Sequence, residues 1–179
     1  MAGAVCGFGR LRRAASPGDG RQHRRAGTPV GGGCKRGEQN QAIGRSRGGR
    51  TTKIHALCDT AGRLYALLLT GGNVHDLHGA RALLAAVPTP RCLLGDKAYD
   101  SNDVRAFLTS QASDAVIPPK VTRREPPPFD PVAYKMRNVI ERAFCRLKDW
   151  RGIATRYDKK AQNFLAGVCL ASAVTYWLQ

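Results

Sequence analysis

YKMRNVIERAFCRLK, residues 134–148, is the stretch on which the reading of the whole chain turns. It lies between a proline-rich break ending at Pro131 and Trp150. Val132, Met136, Val139, Ile140, Ala143, Leu147 and Trp150 recur at helical spacing, so one helix with a broad apolar arc is expected. On an ideal helix, Arg137, Glu141 and Lys148 fall within roughly 60° of Tyr134, on a strip beside that arc. One carboxylate thus shares a helix face with a phenol and two cations. An ordinary amphipathic helix with a solvated face has the same outline. The spacing Tyr-x2-Arg-x3-Glu-x6-Lys is what distinguishes this one.

Composition narrows the partner. The 179 residues suffice for one domain with a real core. The formal charge of +16 calls for a polyanion, most simply nucleic acid, bound less tightly as salt rises. The charge is uneven: residues 1–50 hold 11 Lys/Arg against 2 Asp/Glu. The six cysteines are scattered without a CxxC pair, which fits reduced thiols in the cytoplasm rather than a zinc site or a disulfide frame. No apolar run reaches membrane-spanning length, and no secretory signal is legible.

Residues 1–37 are rich in Gly and Arg without an apolar period and are expected to be a disordered basic segment. GRSRGGRT (44–51) approaches a phosphate-binding P-loop, but it follows polar coil and precedes β-branched sequence, the wrong context. A basic loop meeting DNA backbone through Arg45, Arg47, Arg50 and Lys53 fits better. Strands are expected over Thr51–Cys58 and Leu64–Thr70 around a D-T-A-G-R turn, followed by a helix over Leu77–Ala86. His75, Asp76 and His78 have surface or capping roles in this reading. A short strand over Arg91–Gly95 runs into Asp96, and a helix over Ser101–Gln111 follows with Ser101 as N-cap. An acid at the end of a buried strand suits a metal ligand; turn chemistry is the plain alternative. One more strand (Asp114–Pro118), a proline-rich loop, the helix already quoted and a mostly buried apolar helix (Lys159–Leu178) complete the chain.

This order resembles a ribonuclease-H-like α/β fold, a mixed sheet flanked by helices. GRSRGGRTTKIHAL (44–57), LTGGNVHD (69–76), DKAYDS (96–101), the Tyr-Arg-Glu-Lys helix and RGIATRYDK (151–159) resemble the IS-five-like, YREK-signature group of insertion-sequence DDE transposases. The resemblance covers roughly residues 37–179. It implies that Asp96 is the second acid of the triad and Glu141 the third, with Asp100 a near competitor of Asp96. It implies two divalent cations, Mg²⁺ or Mn²⁺, held by three carboxylates for phosphodiester cleavage and strand transfer. Tyr134, Arg137 and Lys148 would grip phosphates of double-stranded transposon ends, in a homo-oligomer on DNA in the nucleoid.

The first acid of the triad is missing. In the family it sits in a stretch like VDSTVVRAHQ on the first strand, whereas the acids upstream of Thr51 are Asp19 and Glu38. If residues 20–29, GRQHRRAGTP, are encoded GGT CGA CAG CAC CGT CGT GCG GGC ACA CCA, reading one base later gives VDSTVVRAH. The expectation is that residues up to about Gly37 are out of frame. Residues 38–179 would then form a partial domain lacking its first strand, inactive as a lone chain. A basic DNA-binding module without catalysis is the competing reading, and a metal-dependent nuclease of the same fold a third.

Overall fold

The computed structural model describes the backbone of residues 5–14, and residues 41–47 and 49–178. Its strands are β1 (Val5–Ala14), β2 (Gly44–Ser46), β3 (Gly49–Cys58), β4 (Leu64–Gly71), β5 (Cys92–Leu94) and β6 (Asp114–Val116). The helices are α1 (Asp76–Ala86), α2 (Asn102–Ser110), α3 (Pro131–Tyr134), α4 (Asn138–Lys148), α5 (Arg151–Ala154) and α6 (Ala161–Tyr176). Short 3₁₀ turns occupy Lys97–Tyr99 and Lys135–Arg137.

β3 is the spine of the sheet. It pairs antiparallel with β4 from Thr52↔Gly71 to Cys58↔Leu64. The turn between them is held by Asp59, whose Oδ1 accepts from the N–H groups of Ala61 and Arg63, both at 2.9 Å. Gly62 takes φ +84° there, a conformation that favours glycine. Side chains of β3 alternate between two cores. Ile54, Ala56 and Cys58 meet Ile140, Ala143, Phe144 and Leu147 of α4 and Phe164 and Val168 of α6. Leu57 on the other face meets Ala80, Leu83 and Leu84 of α1, Leu93 of β5, and Val104 and Leu108 of α2. The sheet therefore carries helices on both faces. No described helix is long and apolar enough to cross a membrane.

The expectation of a missing central strand is not met. β1 fills that place, antiparallel to β3 (Gly7↔Cys58 to Ala14↔Thr51) and parallel to β5 (Val5↔Cys92 to Gly7↔Leu94). Without it, β3 and β5 would each leave a row of backbone groups unpaired inside the sheet. This strand lies within residues 1–37, the segment expected to be disordered. It also lies within the stretch up to about Gly37 read as out of frame; residues 15–40, with Asp19 and Glu38, lie outside the described residues.

Two helices depart from expectation. Residues 131–148 are not one α-helix: the Lys135–Arg137 turn tightens the pitch between α3 and α4. Positions before and within it leave the apolar arc, so Val132 and Met136 are exposed, whereas Ile140, Ala143, Phe144 and Leu147 are buried. In α6, Phe164, Val168 and Ala171 are buried but Leu170 and Val174 are exposed. That helix is apolar all round and only one side meets the sheet, so its outer face remains uncovered.

Candidate functional site

The signature residues are built on the joint between α3 and α4. Asp130 caps α3, its Oδ1 accepting from the N–H groups of Val132 (2.8 Å) and Ala133 (3.0 Å), and Pro131 takes the first helical position. Phe129 packs edge-on against the Tyr134 ring, centroids 5.3 Å apart. Arg137 then joins two partners. Its Nε donates to the Tyr134 hydroxyl at 2.9 Å, and both terminal nitrogens donate to Glu141 Oε1 at 2.8 and 2.6 Å. The guanidinium also lies 5.5 Å from the centre of the Tyr134 ring.

Asp96 comes from β5, two residues past its last strand position. It caps the Lys97–Tyr99 turn by accepting from the Ala98 N–H, and it is half-buried. Its charge reaches the signature cluster. Burial raises the Tyr134 phenol above its ordinary pKa; Arg137 opposes the rise, and the carboxylates of Asp96 and Glu141 add to it. Tyr134, Arg137 and Glu141 therefore form one hydrogen-bonded group, with Asp96 near enough for its charge to raise the phenol. Lys148 is exposed near the end of α4, with no ion pair among the described residues.

Asp100, four residues on, is of a different kind. Its side chain is fully buried and binds Arg105 Nε (2.8 Å), Arg123 Nε (2.6 Å) and the Lys120 N–H (2.9 Å). Burial alone would raise its pKa, but the bonds from Arg123, the Lys120 N–H and Arg105 prevail and hold it at about 2. Every strong direction of this carboxylate is taken. It ties the proline-rich loop to the start of α2 and so fixes where α3 begins.

Among the basic residues singled out around the strand entry, Lys53 is corrected. It is 4% exposed and bridges Asp76 at 3.0 Å, beneath α1. The alternation of β3 puts Lys53 and His55 on the α1 side, so Lys53 lies inside the fold and cannot meet a duplex. Asp76 is likewise buried, whereas His75 does cap α1, its Nδ1 accepting from the Leu77 N–H at 3.3 Å. The His55 ring lies where only glycine fits: a Cβ on Gly79 would stand 2.6 Å from it. Arg45, Arg47 and Arg50 are exposed on the β2–β3 hairpin. Ser101 occupies the N-cap position of α2 without a side-chain cap bond.

Arg156 was not legible as special in the sequence. It is 1% exposed and donates to the carbonyls of Gln41 (2.9 Å), Asp158 (2.8 Å) and Lys159 (3.1 Å) and to Thr52 Oγ1 (2.5 Å). It also lies 5.0 Å from the Phe164 ring centre. In a chain with 29 Lys/Arg nothing marks one arginine as interior.

Arg137 thus links a phenol and a carboxylate along one side of the α3–α4 joint, and the charge of Asp96 reaches the same phenol. The family model of the transposase DDE domain matches residues 19–175, and the chain belongs to that family. It is 36% identical over 130 residues to a transposase assigned to insertion sequence element IS6501 of Brucella ovis, covering 72% of this chain and 99% of that relative. It is 28% identical over 137 residues to one assigned to insertion sequence element IS402 of Burkholderia cepacia, covering 70% of this chain. The chain spans 63% of that second relative's length.

The divalent metals typical of the family need three carboxylates. Among the described residues, no group of three or more His, Cys, Asp or Glu stands together. β1, the strand next to Asp96, contains no acid: its sequence is VCGFGRLRRA. By continuation of the β1–β5 register, the backbone position level with Asp96 is Gly9. Among the described residues, the donor set does not fit a two-metal site.

Proposed function

We propose that this chain is the transposon-end-binding and catalytic-side part of an insertion-sequence DDE transposase, with an incomplete acid site. The strand order β4-β3-β1-β5-β6, antiparallel up to β1 and parallel beyond it, supports a ribonuclease-H-like sheet. The observation that carries the reading is geometric: Arg137 joins the Tyr134 hydroxyl (2.9 Å) to Glu141 Oε1 (2.8 and 2.6 Å), and the direction in which the Tyr134 phenol is shifted supports Asp96 lying near enough to act on the same group. Two segments 45 residues apart in sequence thereby converge on one phosphate-handling group. In this reading Asp96 and Glu141 are two of three metal-binding acids. Asp100 is a structural carboxylate, because its oxygens are already occupied. Tyr134, Arg137 and Lys148 hold end phosphates in position.

Arg137 precedes Glu141 by four residues, the weaker order for an ion pair on a helix. Helix stability is therefore a poor reason for the pair. In the DNA-free chain it neutralises Glu141, and a phosphate arriving at Arg137 would compete for the same guanidinium. As a lone chain the protein binds duplex and does not cut it. The test is incubation of the purified chain with transposon-end duplex and Mg²⁺ or Mn²⁺. Salt-sensitive binding without cleavage is expected. Strong cleavage abolished by Asp96→Ala would show the acid site complete, and a failure to bind duplex would end the reading.

The same deficit supports a second reading, a non-catalytic module that occupies transposon ends. It predicts binding that survives Glu141→Ala and weakens with Arg137→Ala or Lys148→Ala. A frame change near Gly37 would account for the missing acid, but the family match in the present frame runs unbroken from residue 19 and speaks against it. Codons incompatible with the shifted VDSTVVRAH reading would rule it out.

A further inference from the structure

The outer side of α6 has no counterpart elsewhere in the sequence. Ala161 to Gln179 contains no Asp, Glu, Lys or Arg, the longest such run in a chain with 29 Lys/Arg and 13 Asp/Glu. A surface helix ordinarily turns charged and polar residues to water. Here the exposed positions include Asn163, Gly167, Leu170, Val174 and Trp177, with Leu170 at 68% and Trp177 at 51%. They recur at steps of 4, 3, 4 and 3 residues, the seam spacing by which two helices pair.

Gly167 points to a close neighbour on that seam. It sits within a helix of 16 residues, where glycine is the least favourable residue after proline. Among the described residues nothing lies within 4 Å of a Cβ built there, so packing within one chain gives no reason for glycine. A second helix at close range does. Beside Gly167 runs an open groove of about 300 Å³, lined in part by Trp150, Ile153, Phe164, Leu170 and Val174. The chain's two tryptophans border this face, and both are fixed by their N–H groups. Trp150 Nε1 donates to Thr175 Oγ1 at 3.1 Å, and Trp177 Nε1 donates to the Leu64 carbonyl at 3.2 Å. Rigid, exposed aromatics beside an apolar groove are typical of protein interfaces.

The same features select the occupant. A charge-free face gives a phosphate backbone nothing to bind. α6 also lacks the Lys and Arg that hold a helix on a membrane surface. Residues 15–40 contain one large apolar side chain, Val30, too little to cover the face. Two copies of a chain with net charge +16 repel, and α6 is the surface on which they can meet without opposing like charges. The seam also complements itself. About a two-fold axis at Leu170, an antiparallel pair sets Gly167 opposite Val174 and Asn163 opposite Trp177, the smaller against the larger at each step.

We propose that the outer face of α6 binds a second copy of this chain, in an antiparallel two-fold pair centred on Leu170, without need of DNA. The pairing stands apart from the DNA-end-binding reading above.

The test is sedimentation equilibrium of the nuclease-treated full chain over a range of concentrations at low and high salt. Salt screens the repulsion between copies and leaves apolar burial, so the dimer fraction should rise with salt. Two chains held on one DNA behave oppositely. Tryptophan emission should shift to the blue as the dimer forms. Leu170→Arg puts two cations at the axis and should raise the dimer dissociation constant ~10-fold or more. Val121→Arg, at a fully exposed apolar residue of the proline-rich loop, should leave it unchanged. Circular dichroism establishes that each variant is folded. Gly167→Ala separates pairing from packing: the melting temperature of the dilute monomer should rise, while the added methyl group should weaken the dimer severalfold. A chain that is monomeric at every concentration and salt overturns the proposal. So does a dimer that Leu170→Arg leaves intact, that Val121→Arg disrupts equally, or that Gly167→Ala strengthens. A monomer whose tryptophan emission shifts only on phosphatidylcholine vesicles assigns the face to lipid and overturns it too.

Discussion

Asp96 and Asp100 belong to one hexapeptide, DKAYDS, and have opposite fates. Asp100 is enclosed by two arginines and a backbone N–H, with its pKa held at about 2. Asp96 uses one oxygen to cap a single 3₁₀ turn and stays half-buried at the end of its strand. The difference teaches how the end of an interior strand separates structure from chemistry. A buried carboxylate must be satisfied within the protein, because leaving it unpaired costs several kcal/mol. A carboxylate at the strand end can remain available to a ligand. The acid whose pKa is depressed is here the enclosed one, so a low pKa at Asp100 marks a structural knot and not a ligand site.

The largest expected effect tests that separation directly. Asp100→Ala leaves Arg105 and Arg123 without their common partner and should cost about 3–5 kcal/mol in urea denaturation. Asp96→Ala loses one turn cap and should cost about 1 kcal/mol. Equal losses would break the comparison. The pH dependence comes next. The folded pKa of Asp100 lies below its unfolded value of 3.8, so its contribution is present above that value and lost as pH falls through about 2. Stability attributable to this group should decline by about 2 kcal/mol over that window, at ~1.36 kcal/mol per pKa unit. In Asp100→Asn that part of the acid-induced decline should vanish. A parent chain and variant with superimposable acid profiles would show that Asp100 is not the group responsible.

How much of this could be read beforehand follows from what local sequence encodes. The β3–β4 hairpin was legible because two apolar runs of strand length flank a D-x-x-G turn, and the structure extends the expected strands by no more than two residues at an end. Asp96 and Glu141 stand out by position: one ends an apolar run, the other shares a helix strip with Tyr134 and Arg137. Arg156 and Lys53 did not stand out. Whether a cation is interior depends on which carbonyls or carboxylates meet it from distant segments, Gln41 for one and Asp76 for the other. The break between α3 and α4 was equally hidden, since a 3₁₀ turn changes the pitch without changing residue types. β1 owes its place to the open flanks of β3 and β5 more than to any pattern in VCGFGRLRRA.

The Arg137–Glu141 pair gives a smaller stability effect and a sharper functional one. It is an i,i+4 pair whose carboxylate is 57% exposed. Arg137→Gln should therefore change stability by no more than about 0.5 kcal/mol. If Arg137 also holds an end phosphate, the same substitution should weaken duplex binding severalfold at low salt. Loss of binding with near-parental stability separates a ligand contact from a packing role. A stability loss matching that of Asp100→Ala would place Arg137 with the structural knot.

The finest test asks whether Asp96 shares the cluster at all, and Tyr134 is the reporter. Its phenol is raised by burial first and by the two carboxylates afterwards, with Arg137 working against them. Removing a negative neighbour makes the phenolate easier to form, so Asp96→Asn should move the Tyr134 titration downward, and Glu141→Gln should do likewise. Arg137→Gln should move it upward. Tyrosine ring ¹³Cζ shifts followed from about pH 9 upward read this without any activity. Tyr176, pushed to about 12 mainly by burial and bonded to the Ala143 carbonyl, stands outside the cluster and serves as the internal control. If Asp96→Asn leaves Tyr134 where it was while Glu141→Gln moves it, Asp96 is an isolated turn cap. The contrast with Asp100 would then be between two structural carboxylates, and only Glu141 would remain as a site residue.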